Sequence, residues 1–331
     1  MAQSIGVGKQ SVSKRLDRLL SSGAILITAF VDPIALGFPL FCNLGVRVRL
    51  GAAQTVGSEL ATMEHVSYVG YSTGTFDLLV EAFLPDTEAV FEFLNQKLAA
   101  MDGIVDAKAW FVLRSAKYVY MWEESNADET SRAAAADAQN HELDGVASQL
   151  PAGARANEST MRGWTTKPGS ALRLVRPDDL DREIIRLLRE DGRRPYTDIA
   201  KRADVTKVTV AKRVTRLLGT GAMLIVAHVN WPVVGYPVDV NIGIKASRGR
   251  VEEVGSRLAA LTNVDYVGYT TGDFDIVAEA FLRDTGSLLE FLSVDIAAIP
   301  GVESTETWHV LRTEKFNYMW EGETVGRTPL T

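Results

Sequence analysis

Only one cysteine, Cys42, stands among 331 residues. No internal disulfide framework is possible, and the chain suits a reducing compartment. Histidine is nearly as scarce. His65, His141, His228 and His309 are scattered, with no H-x-x-x-H or clustered Cys spacing, so no metal site and no cofactor are expected. A single histidine on a strand is most often structural. Long apolar runs are missing too. The most apolar early stretch, residues 24–41, is broken by Asp32, Pro33, Gly37 and Pro39. It is neither a signal peptide nor a membrane span, and the expectation is a cytoplasmic protein with no membrane partner. Catalytic signatures are also lacking: no G-x-S-x-G, no Walker loop and no dinucleotide fingerprint. Gly6-Val7-Gly8-Lys9-Gln10-Ser11 has neither the spacing nor the preceding strand of a P-loop. No enzyme is expected.

Overall positive charge is absent, with a net charge of −7. The distribution says more than the sum. Residues 172–228 carry about +5 and residues 1–26 about +3, whereas residues 123–171 carry about −4. Basic charge thus gathers in two short segments. Acidic charge on the rest discourages non-specific adhesion to nucleic acid. The hydrophobic fraction of 46% is enough for packed cores.

What is present is a duplication. A shift of about 198 residues overlays residues 7–123 on 205–321 without a gap, at roughly 45% identity. Tyr68-Val69-Gly70-Tyr71 matches Tyr266-Val267-Gly268-Tyr269, and Tyr120-Met121-Trp122-Glu123 matches Tyr318-Met319-Trp320-Glu321. Two copies in one polypeptide amount to a covalent dimer, and many DNA-reading proteins act as twofold pairs.

Each copy reads as helices followed by alternating strands. In the second copy Pro177-Asp178-Asp179-Leu180 opens a helix with an apolar face of Leu180, Ile184, Ile185, Leu187 and Leu188, stopped by Asp191-Gly192. Thr197 is placed to cap a second helix, and Thr206 a third helix running to Leu218. Val210, Val214, Leu217 and Leu218 form the buried stripe of that third helix. Strands over 222–229 and 237–246, a helix over 251–261, a hairpin of 264–270 with 274–282, a helix over 285–299 and a strand over 303–316 follow. The order β-α-β-β-α-β is ferredoxin-like, and residues 38–118 repeat it. The first copy has no match for Leu180 to Ile199, so of its helical unit only Lys9 to Leu20 remains. Either the true start lies upstream, or that unit has decayed. The stretch from Glu124 to Ser170 reads as a tether, with room for a short helix at residues 131–139.

Leu180-Asp181-Arg182-Glu183-Ile184-Ile185, Asp191-Gly192-Arg193, Ile199-Ala200, Arg213-Val214, Leu217 and Thr271-Gly272-Asp273-Phe274-Asp275 occur in an order that resembles the leucine-responsive/asparagine-responsive (Lrp/AsnC, feast/famine) transcription regulators. The resemblance implies an α+β protein: a winged-helix-like helix-turn-helix plus a βαββαβ effector domain, here duplicated with the first helix-turn-helix truncated. It divides the chain into a partial helix-turn-helix (1–26), effector domain 1 (27–123), linker (124–175), helix-turn-helix (176–224), effector domain 2 (225–323) and tail (324–331). It implies effector domains that pair through their sheets, homo-oligomers, and amino acids bound at the seams.

In a helix-turn-helix the third helix enters the major groove. The candidates for DNA contact are therefore Thr206, Lys207, Thr209, Lys212, Arg213 and Arg216, with Lys9, Ser11, Lys14, Arg15 and Arg18 as first-copy equivalents. Lys212 and Arg216 share a face, and Arg213 is expected opposite much of the apolar stripe. The bland account of these residues is a solvated basic face.

The hairpins carry the effector candidates: Tyr71, Thr73, Gly74 and Asp77, and Tyr269, Thr271, Gly272, Asp273 and Asp275. Glycine N–H groups can hold a carboxylate and an Asp an ammonium, so the hairpins could grip a free amino acid. The bland account is a tight turn closed by Asp. The paired Trp110/Trp308 and Trp122/Trp320 read as core or interface aromatics. The function expected is a DNA-binding transcription regulator with a small-molecule effector, an amino acid in the first instance. A sensor that does not bind DNA, or a tetrapyrrole decarboxylase on the same fold, are the alternatives.

Overall fold

A computed structural model describes residues 8–118 and 175–316. They form two compact units. Of the described residues, the first contains 8–30 and 177–234, the second 31–118, 175–176 and 235–316.

The helical unit is built on α1 (Lys9–Ser21), α4 (Asp179–Glu190), α5 (Tyr196–Arg202) and α6 (Lys207–Gly219). Asp178 caps α4, accepting from Asp181 N–H while the Asp181 carboxylate accepts from Asp178 N–H. This reciprocal pair satisfies two donors that a helix start leaves open. Ile184, Leu187, Leu188, Ile199, Val210, Val214 and Leu217 make the core. The α5–α6 turn places Asp204 at φ 51°, a left-handed conformation that Asp tolerates better than most residues. One expectation fails here. Thr197 lies inside α5, whose N-cap is Pro195 with no side-chain cap. Proline suits that end because it has no N–H to satisfy.

The strands β1 (Ile25–Val31) and β6 (Met223–Val229) pair as a ribbon. Gly192 N–H donates to Ile27 C=O at 2.8 Å, and Thr28 Oγ1 donates to Arg189 C=O at 2.9 Å. The first copy's strand thus braces the second copy's α4–α5 turn.

The second unit holds β2 (Leu40–Val48), α2 (Ala53–Ala61), β3 (Val66–Ser72), β4 (Leu78–Leu84), α3 (Thr87–Glu92) and β5 (Ile104–Tyr118). Its other half is β7 (Val238–Ala246), α7 (Val251–Ala259), β8 (Val264–Thr270), β9 (Ile276–Leu282), α8 (Thr285–Glu290) and β10 (Val302–Phe316). The helix expected over residues 285–299 is α-helical only to Glu290, then π-helical over Phe291–Ile296, as in Phe93–Leu98. The wider turn lets Phe93 and Leu98, five apart, both reach the core, and likewise Phe291 and Ile296.

Each half has the ferredoxin-like order, β3-β4-β2-β5 and β8-β9-β7-β10. The two join into one closed eight-stranded barrel. The means is strand length: β5 and β10 run 15 residues each. The first part of β5 pairs with β2 and the last part with β8, while β10 pairs first with β7 and then with β3. No edge of the barrel stays open to other chains. Alternate residues face the helices, where Cys42, Leu44, Val46 and their counterparts Val240, Ile242 and Ile244 pack. The opposite set points into the lumen. There Phe76, Trp110, Phe274 and Trp308 form a ring cluster with centroids 5.2–5.9 Å apart.

Burial pushes the Cys42 thiol up to about 12, so it has almost no thiolate at neutral pH. Iodoacetamide is expected to leave native protein unlabelled and to label it fully in denaturant. Rapid labelling of the native chain would contradict this packing.

Candidate functional site

Helix α6 is set with its apolar stripe inward and a mixed face outward. Thr206 caps it: its hydroxyl accepts from Thr209 N–H at 3.1 Å and meets the Thr209 hydroxyl at 2.9 Å. Lys207, Val208 and Lys212 are exposed. Arg213 and Arg216 do not share that freedom. Arg213 bonds Asp178 and, at 3.2 Å, Asp181, and Arg216 bonds Asp181. Asp181 is fully buried. Position 213 lies at the flank of the apolar stripe, one step round from 212, and not opposite the stripe as expected. The neighbouring α4 therefore captures it. Helix-start N–H donation from Asp181, then the Arg213 guanidinium, hold the Asp178 carboxyl below its ordinary range.

Sequence reasoning missed Val208 and Thr215. They fall on the same outward face as Lys212, and the spacing 208–212–215 was the available signal. Val208 is 62% exposed, unusual for so large an apolar side chain. In α1, Ser11, Lys14, Arg15 and Arg18 are all exposed, and Lys9 opens the helix. Arg15 and Arg18, the counterparts of Arg213 and Arg216, have no carboxylate partner among the described residues.

The two hairpins sit where the copies meet. Thr73 N–H donates to His309 C=O at 3.0 Å, and Thr271 N–H to Phe111 C=O at 3.0 Å. Thr271 Oγ1 also accepts from Phe111 N–H at 3.1 Å. Gly74 (φ 107°) and Gly272 (φ 90°) need the left-handed region, and a Cβ on Gly272 would lie 2.9 Å from Trp110. Asp77 accepts from Val48 N–H at 2.8 Å, and Asp275 from Ala246 N–H at 2.9 Å. Each thus ties its loop to the adjoining strand end. Asp273 pairs with Lys108 at 2.6 Å. Tyr71 lies under the Arg312 guanidinium at 4.5 Å and Tyr269 under Arg114 at 4.6 Å. These two arginines were not foreseen, because only the barrel brings them to the opposite copy's hairpin.

Of the histidines, His65 lies beside Phe38, His228 is in β6 and His309 in β10, while His141 falls outside the described residues. Among the described residues no three His, Cys, Asp or Glu side chains gather to hold a metal ion. Trp122, Trp320 and the residues 131–139 also fall outside them. No described helix is long and apolar enough to cross a membrane.

A three-helix head with a solvent-facing third helix, carried with a paired ferredoxin-like scaffold, defines a DNA-binding regulator that has a ligand-binding domain. Comparison with known proteins agrees. The Lrp/AsnC ligand binding domain matches residues 42–121 and again 239–320, and the AsnC-type helix-turn-helix domain matches residues 178–218. An uncharacterized HTH-type transcriptional regulator of Pyrococcus abyssi is 38% identical over 147 residues, 44% of this chain and 93% of that protein. The HTH-type transcriptional regulator FL11 of the same organism is 37% identical over 139 residues, 42% and 91% of the two chains. The chain belongs to the Lrp/AsnC family of transcription regulators.

Among solved structures, E. coli AsnC is 30% identical with a TM-score of 0.40, spanning 42% of this chain and 94% of that one. The siroheme decarboxylase NirDL has a TM-score of 0.58 at 14% identity, spanning 95% of this chain and 84% of that one, which is a likeness of fold.

Asp181→Ala would leave Arg213 and Arg216 without their buried partner and remove the return half of the α4 cap, the bond from Asp178 N–H to the Asp181 carboxylate. A loss of about 3 kcal/mol from the helical head is expected, read as faster amide exchange in α4 and α6. Unchanged exchange would mean the cluster adds nothing to stability.

Proposed function

We propose that the chain reads double-stranded DNA through Lys207, Val208, Lys212 and Thr215. In this reading Thr206, Thr209, Arg213 and Arg216 set the helix and contact flanking phosphates. The observation that carries it is the outward face of α6, left uncovered by α4 and α5. Lysine there neutralises phosphate, and an apolar Val208 suits a thymine methyl. The exposed Ser11, Lys14, Arg15 and Arg18 of α1, with Lys9, supply a weaker second contact.

The effector is a free amino acid held at the hairpin seams. Its carboxylate meets Arg114 or Arg312, or the N–H groups of Gly74 and Gly272. Its ammonium meets the second carboxylate oxygen of Asp77 or Asp275, with Thr73 and Thr271 beside it. Tyr71 and Tyr269 wall the site, and Asp273 acts through Lys108 at one seam only. Assembly into homo-oligomers through this unit is supported by apolar residues exposed at matched positions of the two copies: Leu113 with Leu311, and Phe91 with Leu289. The protein works in the cytoplasm and catalyses no reaction.

Gel shifts on the gene's own upstream DNA test the reading. Lys207→Ala and Lys212→Ala are each expected to lower affinity and reduce the salt slope by about 1. Arg213→Ala with Arg216→Ala is expected to do so partly by loosening α6. Unaltered binding in the lysine variants would refute the assigned face. For assembly, Leu113→Lys with Leu311→Lys is expected to reduce the mass seen by light scattering to that of a single chain. An unchanged mass would place the contact elsewhere.

A further inference from the structure

Each seam carries a cradle of three donors, and the chain fills only one of the two with a carboxylate from its own strand. Ser58 of α2, Tyr71 of β3 and Arg312 of β10 converge on Glu314. The Ser58 hydroxyl donates to one carboxylate oxygen at 3.0 Å. The Tyr71 hydroxyl donates to the other at 3.2 Å, and the Arg312 guanidinium to that same oxygen at 3.1 Å. Glu314 reaches them because the ladder of β10 against β3 slips between Thr313 and Lys315. Such a slip turns the extra residue out of the regular alternation. The Glu314 side chain is only 20% exposed, as befits a group enclosed by its partners.

The 198-residue shift gives the counterparts Ser256 of α7, Tyr269 of β8 and Arg114 of β5, so all three residue types are kept. The slip is kept as well, between Ser115 and Lys117 of β5 against β8. The residue it turns out is Ala116, which brings no carboxylate. The donors of this second cradle have other partners. The hydroxyls of Ser256 and Tyr269 donate to the Glu252 C=O, at 2.8 and 3.4 Å. A neutral carbonyl is a weaker acceptor than a carboxylate. The Arg114 guanidinium bonds the Glu252 carboxylate. That carboxylate belongs to a side chain 75% exposed, and a pair so open to water contributes little. A guanidinium also has five N–H donors, enough to serve a second carboxylate. Burial first, then the Glu252 charge, raise the Tyr269 hydroxyl, which therefore stays protonated and able to donate.

We infer that the chain takes one effector and not two: the carboxylate of a free amino acid enters the cradle of Ser256, Tyr269 and Arg114, in the place that Glu314 holds at the other seam. This rests on the amino-acid reading of the hairpin seams and narrows it to one of them. Glu314 acts as a built-in ligand. It occupies the donors an effector needs, and its charge repels a second carboxylate. Glu252 lies four residues before Ser256 on the same face of α7 and offers its charge to the ammonium, whereas Gln54 gives α2 no such charge.

The test is calorimetry on the full chain with each of the twenty standard L-amino acids, against sodium acetate and sodium chloride at matched ionic strength. At least one amino acid is expected to bind at one per chain. Glu314→Ala is expected to raise this to two per chain, and a gained site cannot come from unfolding. Ala116→Glu places a strand carboxylate in the second cradle and is expected to weaken binding at least about tenfold. Two bound per native chain, or one still in Glu314→Ala, would overturn the inference and leave the amino-acid reading in place. So would full affinity in Ala116→Glu. Binding of no amino acid by the native chain or by Glu314→Ala would strike the amino-acid reading and this inference together.

Discussion

The backbone ladder that carries β5 into the other copy's sheet, and β10 back, is the constraint behind the rest. Each strand is too long for its own sheet, so its last residues must pair elsewhere or leave N–H and C=O groups unpaired. Pairing with β8 and β3 satisfies them and closes the barrel. Closure then fixes what faces what: the hairpins come to lie on the opposite copy's β5 and β10, Arg114 and Arg312 come to lie over Tyr269 and Tyr71, and four aromatic rings meet at the centre. A single copy would have none of these neighbours.

The two seams are no longer equal. At one, Arg114 pairs with Glu252 and Lys108 with Asp273. At the other, Glu314 takes Arg312, Ser58 and Tyr71. Gln54 stands where Glu252 does, and Ala116 where Glu314 does. Once two copies share a chain, their faces no longer need to suit themselves, only each other. The charge pairs at the two seams accordingly differ.

Much of the architecture could be read from the residues. Alternation at 238, 240, 242 and 244 marks a strand because one face is buried, and the caps at Asp178 and Thr206 depend on neighbours only three residues away. What escaped the sequence is what depends on distant partners. Thr197 looks like a cap until Pro195 sets the turn before it. Arg213 looks free until α4 places Asp178 and Asp181 beside it. That Asp77 and Asp275 each bond a strand end about thirty positions away could not be read from their own neighbourhood either. The π-helical turns follow the same logic, since their five-residue step appears only once a core exists to receive both side chains.

The ribbon of β1 and β6 has a genetic consequence. The turn of the second helix-turn-helix leans on a strand encoded some 160 residues earlier, through Gly192 on Ile27 and Thr28 on Arg189. Deleting the first repeat would strip that prop from the second. A gene that once doubled has in this way been ratcheted: recombination between its halves, which would ordinarily restore the ancestral single unit, now yields a product missing part of its own support.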